Sequence, residues 1–409
     1  MLLPLLVSIL AMTDTEPPAF FAANEELRGY LMEAGENHPG LLARYHVWRA
    51  TLQRIPQAGA LDDPMLTYNH FLKSDTNDAR AALTQRLPWF GTLRARSGQA
   101  AAEADAALAR FYTARNVLFA EVKRVYFEYA FLGGRIKVVR AQIELLDFTE
   151  DIIRSKYSLG TATEADLLRV QIEETKVQDR LDGLVQMRPS LSARLAETLG
   201  RSQADFLPWP QSAALPPAPP SATEALERVN ALNPELATLE HLLESRERGV
   251  RLARKKGRPD FTVGAGYTRR SDMGGEDFLM TIVGVNLPIW RGRVKAGVEE
   301  ARLNEKAVEY EKQRVALSLE SDIRMTLADM EDAARRFNLY EDALIPKAEQ
   351  TYQSVQSAYA SGGPKADFLD LLSSVQVLLQ FQIDQLRAER DLHLAAAALE
   401  KTMGGWTSD

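Results

Sequence analysis

Tyr157-Ser158-Leu159-Gly160, followed by Asp166-Leu167-Leu168, returns about 200 residues later as Tyr359-Ala360-Ser361-Gly362, followed by Asp367-Phe368-Leu369. Long runs of Ala, Glu, Arg, Leu and Lys with few breakers flank each copy, so each reads as the tight turn of a helical hairpin. A Gly supplies the left-handed turn that ends one helix, and an Asp near the start of the next satisfies free backbone donors. Other pairs recur in the same order. Asn37-His38-Pro39 is answered by Asn233-Pro234, and Leu87-Pro88-Trp89-Phe90-Gly91 by Leu287-Pro288-Ile289-Trp290-Arg291-Gly292. Leu195-Ala196-Glu197-Thr198-Leu199-Gly200 is answered by Leu399-Glu400-Lys401-Thr402-Met403-Gly404. The chain is a duplication whose period far exceeds that of a solenoid unit.

Each half predicts the order α-β-β-α-α. The first repeat covers residues 21–204, with a strand hairpin over about 64–88 and a helical tip over about 155–166. The second covers 223–404, with a hairpin over about 260–288 and a tip over about 357–367. Between them, 205–222 carry Leu207-Pro208-Trp209-Pro210 and Leu215-Pro216-Pro217-Ala218-Pro219-Pro220, the composition of an extended linker without internal hydrogen bonds. Residues 405–409 form a short tail, and the apolar Leu2 to Ala11 stretch makes 1–20 a candidate leader, although no Lys or Arg precedes it. The runs from Gly91 to about Arg154 and from Gly292 to about Ser357 predict helices of roughly 64 residues, about 95 Å long at 1.5 Å per residue. No compact domain accommodates that length, so the helices belong to long antiparallel hairpins. In the returning helices Leu181, Leu184, Leu191 and Leu195, and then Leu372, Val375, Leu379 and Leu386, follow helical spacing. Pro189 and Pro346 predict a kink or break in two of these helices.

Composition excludes several classes of function. Among 409 residues, 49 basic and 56 acidic side chains leave a net charge of −7, so no basic field exists to collect nucleic acid. With no Cys, disulfides, thiolate nucleophiles and cysteine metal sites are impossible, as is an acyl anchor on an N-terminal Cys. His38, His46, His70, His241 and His393 show no His-Glu-x-x-His or other metal spacing; Gly264-Ala265-Gly266 and Gly133-Gly134-Arg135 are fragments of nucleotide motifs and lack their partners. No cofactor and no enzymatic activity are expected.

The strands point to a membrane. Phe261, Val263, Ala265 and Tyr267 alternate with Thr262, Gly264, Gly266 and Thr268, and a second strand runs through Leu279, Thr281, Val283, Val285 and Leu287. Strands of about 9 to 11 residues span a bilayer when tilted, with an apolar face toward lipid and a polar face toward water. A soluble sheet packed on helices has the same periodicity. Four strands cannot close a barrel, because the smallest transmembrane barrels have about eight. Two chains sharing a barrel would give a filled interior, whereas three give 12 strands and a channel, with the duplication supplying pseudo-sixfold symmetry.

These residues together resemble the TolC-like outer-membrane efflux channels of Gram-negative bacteria, over nearly the whole chain from about Glu25 to Gly404. The resemblance rests on the paired tips, on the strand-to-helix exits Pro88, Trp89 and Gly91, and Pro288, Trp290 and Gly292, and on the repeat ends. It implies a mainly α protein with a membrane β-barrel portion: a homotrimer whose helical hairpins form an α-barrel across the periplasm and whose strands share one 12-stranded barrel. It also implies docking of the tips, with Tyr157, Gly160, Thr161, Gly362 and Gly363, onto a periplasmic adaptor protein. That adaptor joins the channel to an inner-membrane pump, of the proton-driven resistance-nodulation-division type. The exit and the Asp367 to Leu372 tip look like the heavy-metal branch, although ten scattered Met provide no independent metal path. Asp367 and Asp370, three apart on one helical face, become six carboxylates under threefold symmetry, a ring that attracts cations. The resemblance places that ring at a periplasmic gate. It implies clamps there, in which Tyr359 and a basic residue of the second tip, Lys365, meet Asp166 of the first. Gly363-Pro364 departs from the ordinary turn and leaves the register of Lys365 open. The competing reading is a soluble coiled-coil scaffold whose strand hairpins bind partners, and for the tip residues simple helix capping.

Overall fold

Asn24 starts the first helix by accepting the Leu27 amide on its side-chain oxygen, 3.0 Å away. The computed structural model describes residues 24–72, 79–202, 207–211, 213–270, 276–361 and 367–405; the candidate leader at 1–20 lies outside them. The elements are α1 (Glu25–Asn37), α2 (Pro39–Leu52), α3 (Arg54–Gly59), β1 (Met65–His70), β2 (Ala79–Leu87), α4 (Thr92–Ser158) and α5 (Glu164–Thr198) in the first half. The second half gives α6 (Ala222–Leu232), α7 (Pro234–Lys255), β3 (Phe261–Arg269), β4 (Phe278–Val285), α8 (Arg291–Leu339), α9 (Ile345–Ala360) and α10 (Phe368–Thr402). The predicted order stands, but the opening helix of each repeat is split. The Pro of Asn-His-Pro and of Asn-Pro disfavours helical geometry in the residue before it and then starts a new helix itself.

The two Pro predictions resolve differently. Pro346 falls at the start of α9, just after a π-helical turn over Tyr340–Leu344, so the long second helix is interrupted there. Pro189 sits inside α5, which runs on without a break. α4 is continuous for 67 residues, about 100 Å at ~1.5 Å per residue.

Two units emerge, and each takes residues from both repeats: Ala43–Thr113 with Pro234–Leu317, and Met1–Leu42 with Ala114–Asn233 and Ser318–Asp409. The first holds an antiparallel sheet in the order β1-β2-β3-β4. Its central pairing, Leu87 with Phe261 through Ala79 with Arg269, joins the two repeats. Register sorts the side chains onto two faces. Leu66, Leu83, Ala265 and Thr281 form one row, Tyr68, Ala81, Tyr267 and Leu279 the next, and Leu87, Phe261 and Val285 a third, all on one largely apolar face. The opposite face carries Thr67, Ala82, Gly266 and Met280, then Thr84, Gly264 and Ile282, then Asn69, Arg80 and Thr268. The apolar face is open: Leu66 is 71% exposed, Leu279 80% and Val283 76%.

The second unit holds the returning hairpins. Leu132, Ile136, Val139 and Leu146 of α4 pack on Val177, Leu181 and Leu184 of α5, of which helical spacing had marked Leu181 and Leu184. The Pro-rich stretch is pinned rather than loose. Leu207 is buried, its amide donates to Ser192 Oγ at 2.9 Å, its carbonyl accepts from Tyr129 Oη at 2.9 Å, and Trp209 stacks on the Tyr129 ring. Gly133 lies so close to Trp209 that a Cβ would sit 2.9 Å from the ring, which accounts for a glycine pair that resembled a nucleotide motif. The repeat motifs also meet: Gly200 packs on the Asn37 carbonyl and Gly404 on that of Leu232, both with positive φ.

Within this unit Lys123 Nζ of α4 lies 2.5 Å from Glu400 Oε2 of α10. Burial pushes the lysine down from its ordinary value and the glutamic acid up, while each charge opposes the shift of the other. Removing one partner strands a buried charge. Lys123→Met is expected to cost about 3–5 kcal/mol in denaturant unfolding, and the double change Lys123→Met/Glu400→Leu to recover most of that loss.

Candidate functional site

At the first tip α4 ends at Ser158, Gly160 takes φ of +75°, and the Thr161 amide returns to the Lys156 carbonyl at 2.9 Å. Thr161 Oγ1 donates to the same carbonyl at 3.0 Å, and Tyr157 is exposed. α5 opens with a reciprocal cap. Asp166 N donates to Thr163 Oγ1 at 3.2 Å and Thr163 N to Asp166 Oδ2 at 3.1 Å. The other oxygen of Asp166 faces Arg169 at 3.5 Å.

The second tip shows the same device three residues later than the sequence alignment placed it. Asp367 is the N-cap of α10, and its own amide donates to Asp370 Oδ2 at 3.1 Å. Thr163 therefore corresponds to Asp367, and Asp166 to Asp370 rather than to Asp367. The shift follows from loop length: four residues separate Ser158 from Thr163, whereas six separate Ala360 from Asp367. Asp367 and Asp370 are exposed, and neither has an ion-pair partner among the described residues. Gly362, Gly363 and Lys365 lie outside those residues.

Among the described residues the first tip supplies a basic partner for Tyr359. Lys156 Nζ stands 3.7 Å from the centroid of the Tyr359 ring and donates to the Tyr359 carbonyl. Tyr359 is itself buried, among Ile153 of α4, Val170 of α5, Tyr352 of α9 and Phe368, Leu371 and Val375 of α10. Burial pushes its hydroxyl up from the ordinary value, and the charges of Asp166 and Asp367 push it further. The structure thus brings Asp166 and Asp367 within electrostatic reach of Tyr359, and seats on Tyr359 a cation that spacing did not single out. One signal for it was present: Lys156 is the sole base in the last turn of α4.

The strand exits differ from each other. Trp89 stacks on Phe261 at 6.1 Å, and its amide donates to Asp260 Oδ1 at 3.0 Å, while Asp260 also pairs with Arg86 at 2.6 Å. Gly91 then turns the chain with φ of +72°. Gly292 needs no such turn, because one more residue in the second exit carries it inside α8. Pro88 directly follows β2, whereas Pro288 lies three residues past the end of β4, and Phe90, Leu287, Ile289 and Trp290 are left exposed. Among the described residues no group of His, Asp and Glu is arranged to hold a metal, and no helix is long and apolar enough to cross a membrane.

Solved channels share this architecture. VceC, an outer membrane protein of Vibrio cholerae, superposes with a TM-score of 0.80 at 19% identity, over 95% of this chain and 99% of that one. The CmeC outer membrane channel of Campylobacter jejuni gives 0.77 at 14% identity, over 93% and 86%. The open state of the MtrE outer membrane channel of Neisseria gonorrhoeae gives 0.76 at 17% identity, over 96% and 94%. At such identities the likeness speaks for the fold. No curated protein matches the chain. The family described as outer membrane efflux protein matches residues 31–201 and 225–405, the two repeats almost end to end. With both halves and most of its length matched, the chain belongs to the outer membrane efflux protein family.

Proposed function

We propose that three copies of this chain form the passive outer-membrane conduit of a tripartite efflux system, gated at the helical tips. Family membership makes the chain an outer-membrane efflux protein rather than an enzyme. The observation that carries the trimer is the open sheet: β1 and β4 each have one neighbour, and one face is apolar and exposed. In hydrocarbon an unpaired edge leaves backbone donors and acceptors unsatisfied, each at a cost of several kcal/mol. Edge-to-edge pairing of identical copies removes the cost. Three copies make a 12-stranded barrel, with the Leu66, Tyr68, Val263 and Leu279 face toward lipid and the Thr and Gly face toward water.

The gate reading rests on charge. Asp166 pairs with Arg169, whereas Asp367 and Asp370 have no ion-pair partner among the described residues, so threefold symmetry would gather the carboxylates of the second tip near the axis. Capping and gating coexist here: Asp370 uses Oδ2 for the cap and keeps Oδ1. Lys156 on Tyr359 ties one hairpin to the other within a protomer and so holds the tip closed. The exposed turns at Tyr157, Gly160 and Thr161 offer the surface for a periplasmic adaptor, which in turn meets an inner-membrane pump of the proton-driven type. Among the described residues no metal-binding group supports a metal path.

Fractionation tests the conduit directly. The protein is expected in outer membranes, extracted only by detergent and trimeric by native mass spectrometry; folded monomer in a plain aqueous extract would refute the channel. For the gate, Asn preserves N-capping while removing charge. In single-channel recordings Asp367→Asn/Asp370→Asn is expected to weaken divalent-cation block about tenfold, equivalent to ~1.4 kcal/mol. Asp166→Asn should change block little, and equal effects at both tips would remove the second tip from the role. Lys156→Met should raise open probability in the same recordings, with unaltered gating counting against the tie to Tyr359.

A further inference from the structure

A pocket of about 300 Å³ in the strand-bearing unit is lined by Gly91, Arg94, Ala95, Arg248, Arg251 and Lys255. Residues 248, 251 and 255 are three and four apart, so they share one face of α7, and Arg94 of the first turn of α4 completes the lining. Four cations thus share one small space. Lys255 Nζ donates to the Phe90 carbonyl at 3.0 Å, and Arg248 is held by Glu244 while its Nε is buried without a hydrogen-bond partner among the described residues. Arg94 and Arg251 have no ion-pair partner among those residues. Like charges gathered this way repel one another unless an anion joins them, and among the described residues Glu244 is the one carboxylate that pairs with any of the four.

We propose that this pocket binds a phosphate group. Planar guanidinium groups match phosphate oxygens in pairs and form short charge-assisted hydrogen bonds, and the exposed Arg94 and Arg251 leave the pocket open to a headgroup from outside. Its position points to one source. Gly91 follows the end of β2 by four residues and Lys255 precedes β3 by six. Phe90 adjoins the pocket, and Phe90, Ile289 and Trp290 are exposed beside the strand ends, as the aromatic belt of a membrane interface requires. A cationic pocket at that level meets the headgroups of anionic phospholipids. This inference rests on the proposed insertion of the strands in the outer membrane.

The test compares full-length wild type with Arg94→Gln/Arg251→Gln and the charge-preserving Arg94→Lys/Arg251→Lys. Each is placed in phosphatidylcholine nanodiscs with and without phosphatidylglycerol, and retained lipid is counted by native mass spectrometry after release into detergent. Inorganic phosphate is titrated separately against the detergent-solubilised proteins, with melting temperature checking that each is folded. Wild type is expected to retain phosphatidylglycerol over phosphatidylcholine, the Gln pair to lose about tenfold or more of that preference, and the Lys pair to keep most of it. Phosphate binding that depends on Arg94 and Arg251, without any preference for phosphatidylglycerol, supports the site and assigns it to free phosphate. Equal retention by all three proteins, or binding of neither probe by an inserted wild type, overturns the site alone. A chain that stays out of the nanodisc yet binds phosphate through these arginines overturns the membrane reading and upholds the pocket.

Discussion

Unpaired backbone at the two ends of a four-stranded sheet is the constraint on which this molecule turns. β2 and β3 satisfy each other, but β1 and β4 each have a single neighbour. Water tolerates such an edge and hydrocarbon does not. Because the chain is an outer-membrane protein, those edges need partners, and identical copies present the matching ones. Duplication makes the arrangement economical: each repeat contributes one hairpin, and in the proposed trimer the contact between hairpins inside a chain, β2 on β3, would be repeated between chains.

The second organising feature is how the long helices end. Each returning helix begins with a side chain and a backbone amide bonding each other reciprocally, Thr163 with Asp166 and Asp367 with Asp370. At the first tip the acid also meets Arg169, so its charge is spent locally. At the second both capping residues are acids and no base among the described residues pairs with them, so within those residues the two tips are electrically unequal although both use the same capping device. The same pairing of opposites appears deeper in the helical unit, where Lys123 and Glu400 connect the long helix of one repeat to the last helix of the other.

Basic residues at the opposite end of the long helices follow another logic. Arg254 and Lys255 in the last turn of α7 complement its dipole, which suffices for a helix end. Arg94, Arg248 and Arg251 go beyond that need, and they sit where apolar and aromatic side chains mark the passage from strand to helix.

Much was legible in the residues themselves. Two ordered copies of Tyr-x-x-Gly, Leu-Pro and Asn-x-Pro motifs revealed the duplication, breaker-free runs revealed long hairpins, and alternation in β3 revealed two unlike sheet faces, since each depends on local chemistry repeated at fixed spacing. Other features depended on approach between distant segments. Asp166 aligned with Asp367 by neighbouring leucines, yet the caps pair it with Asp370, because two extra loop residues shift where α10 starts. No spacing marked Lys156, since only the packing of α4 beside α9 carries it to Tyr359. Gly292 copied Gly91 in sequence but not in backbone, a single added residue having moved it into a helix. The residue string therefore determined the elements and their order through local propensity, whereas the partner of each tip charge and the gathering of four bases into one pocket were decided by tertiary contact, which no spacing along one segment encodes.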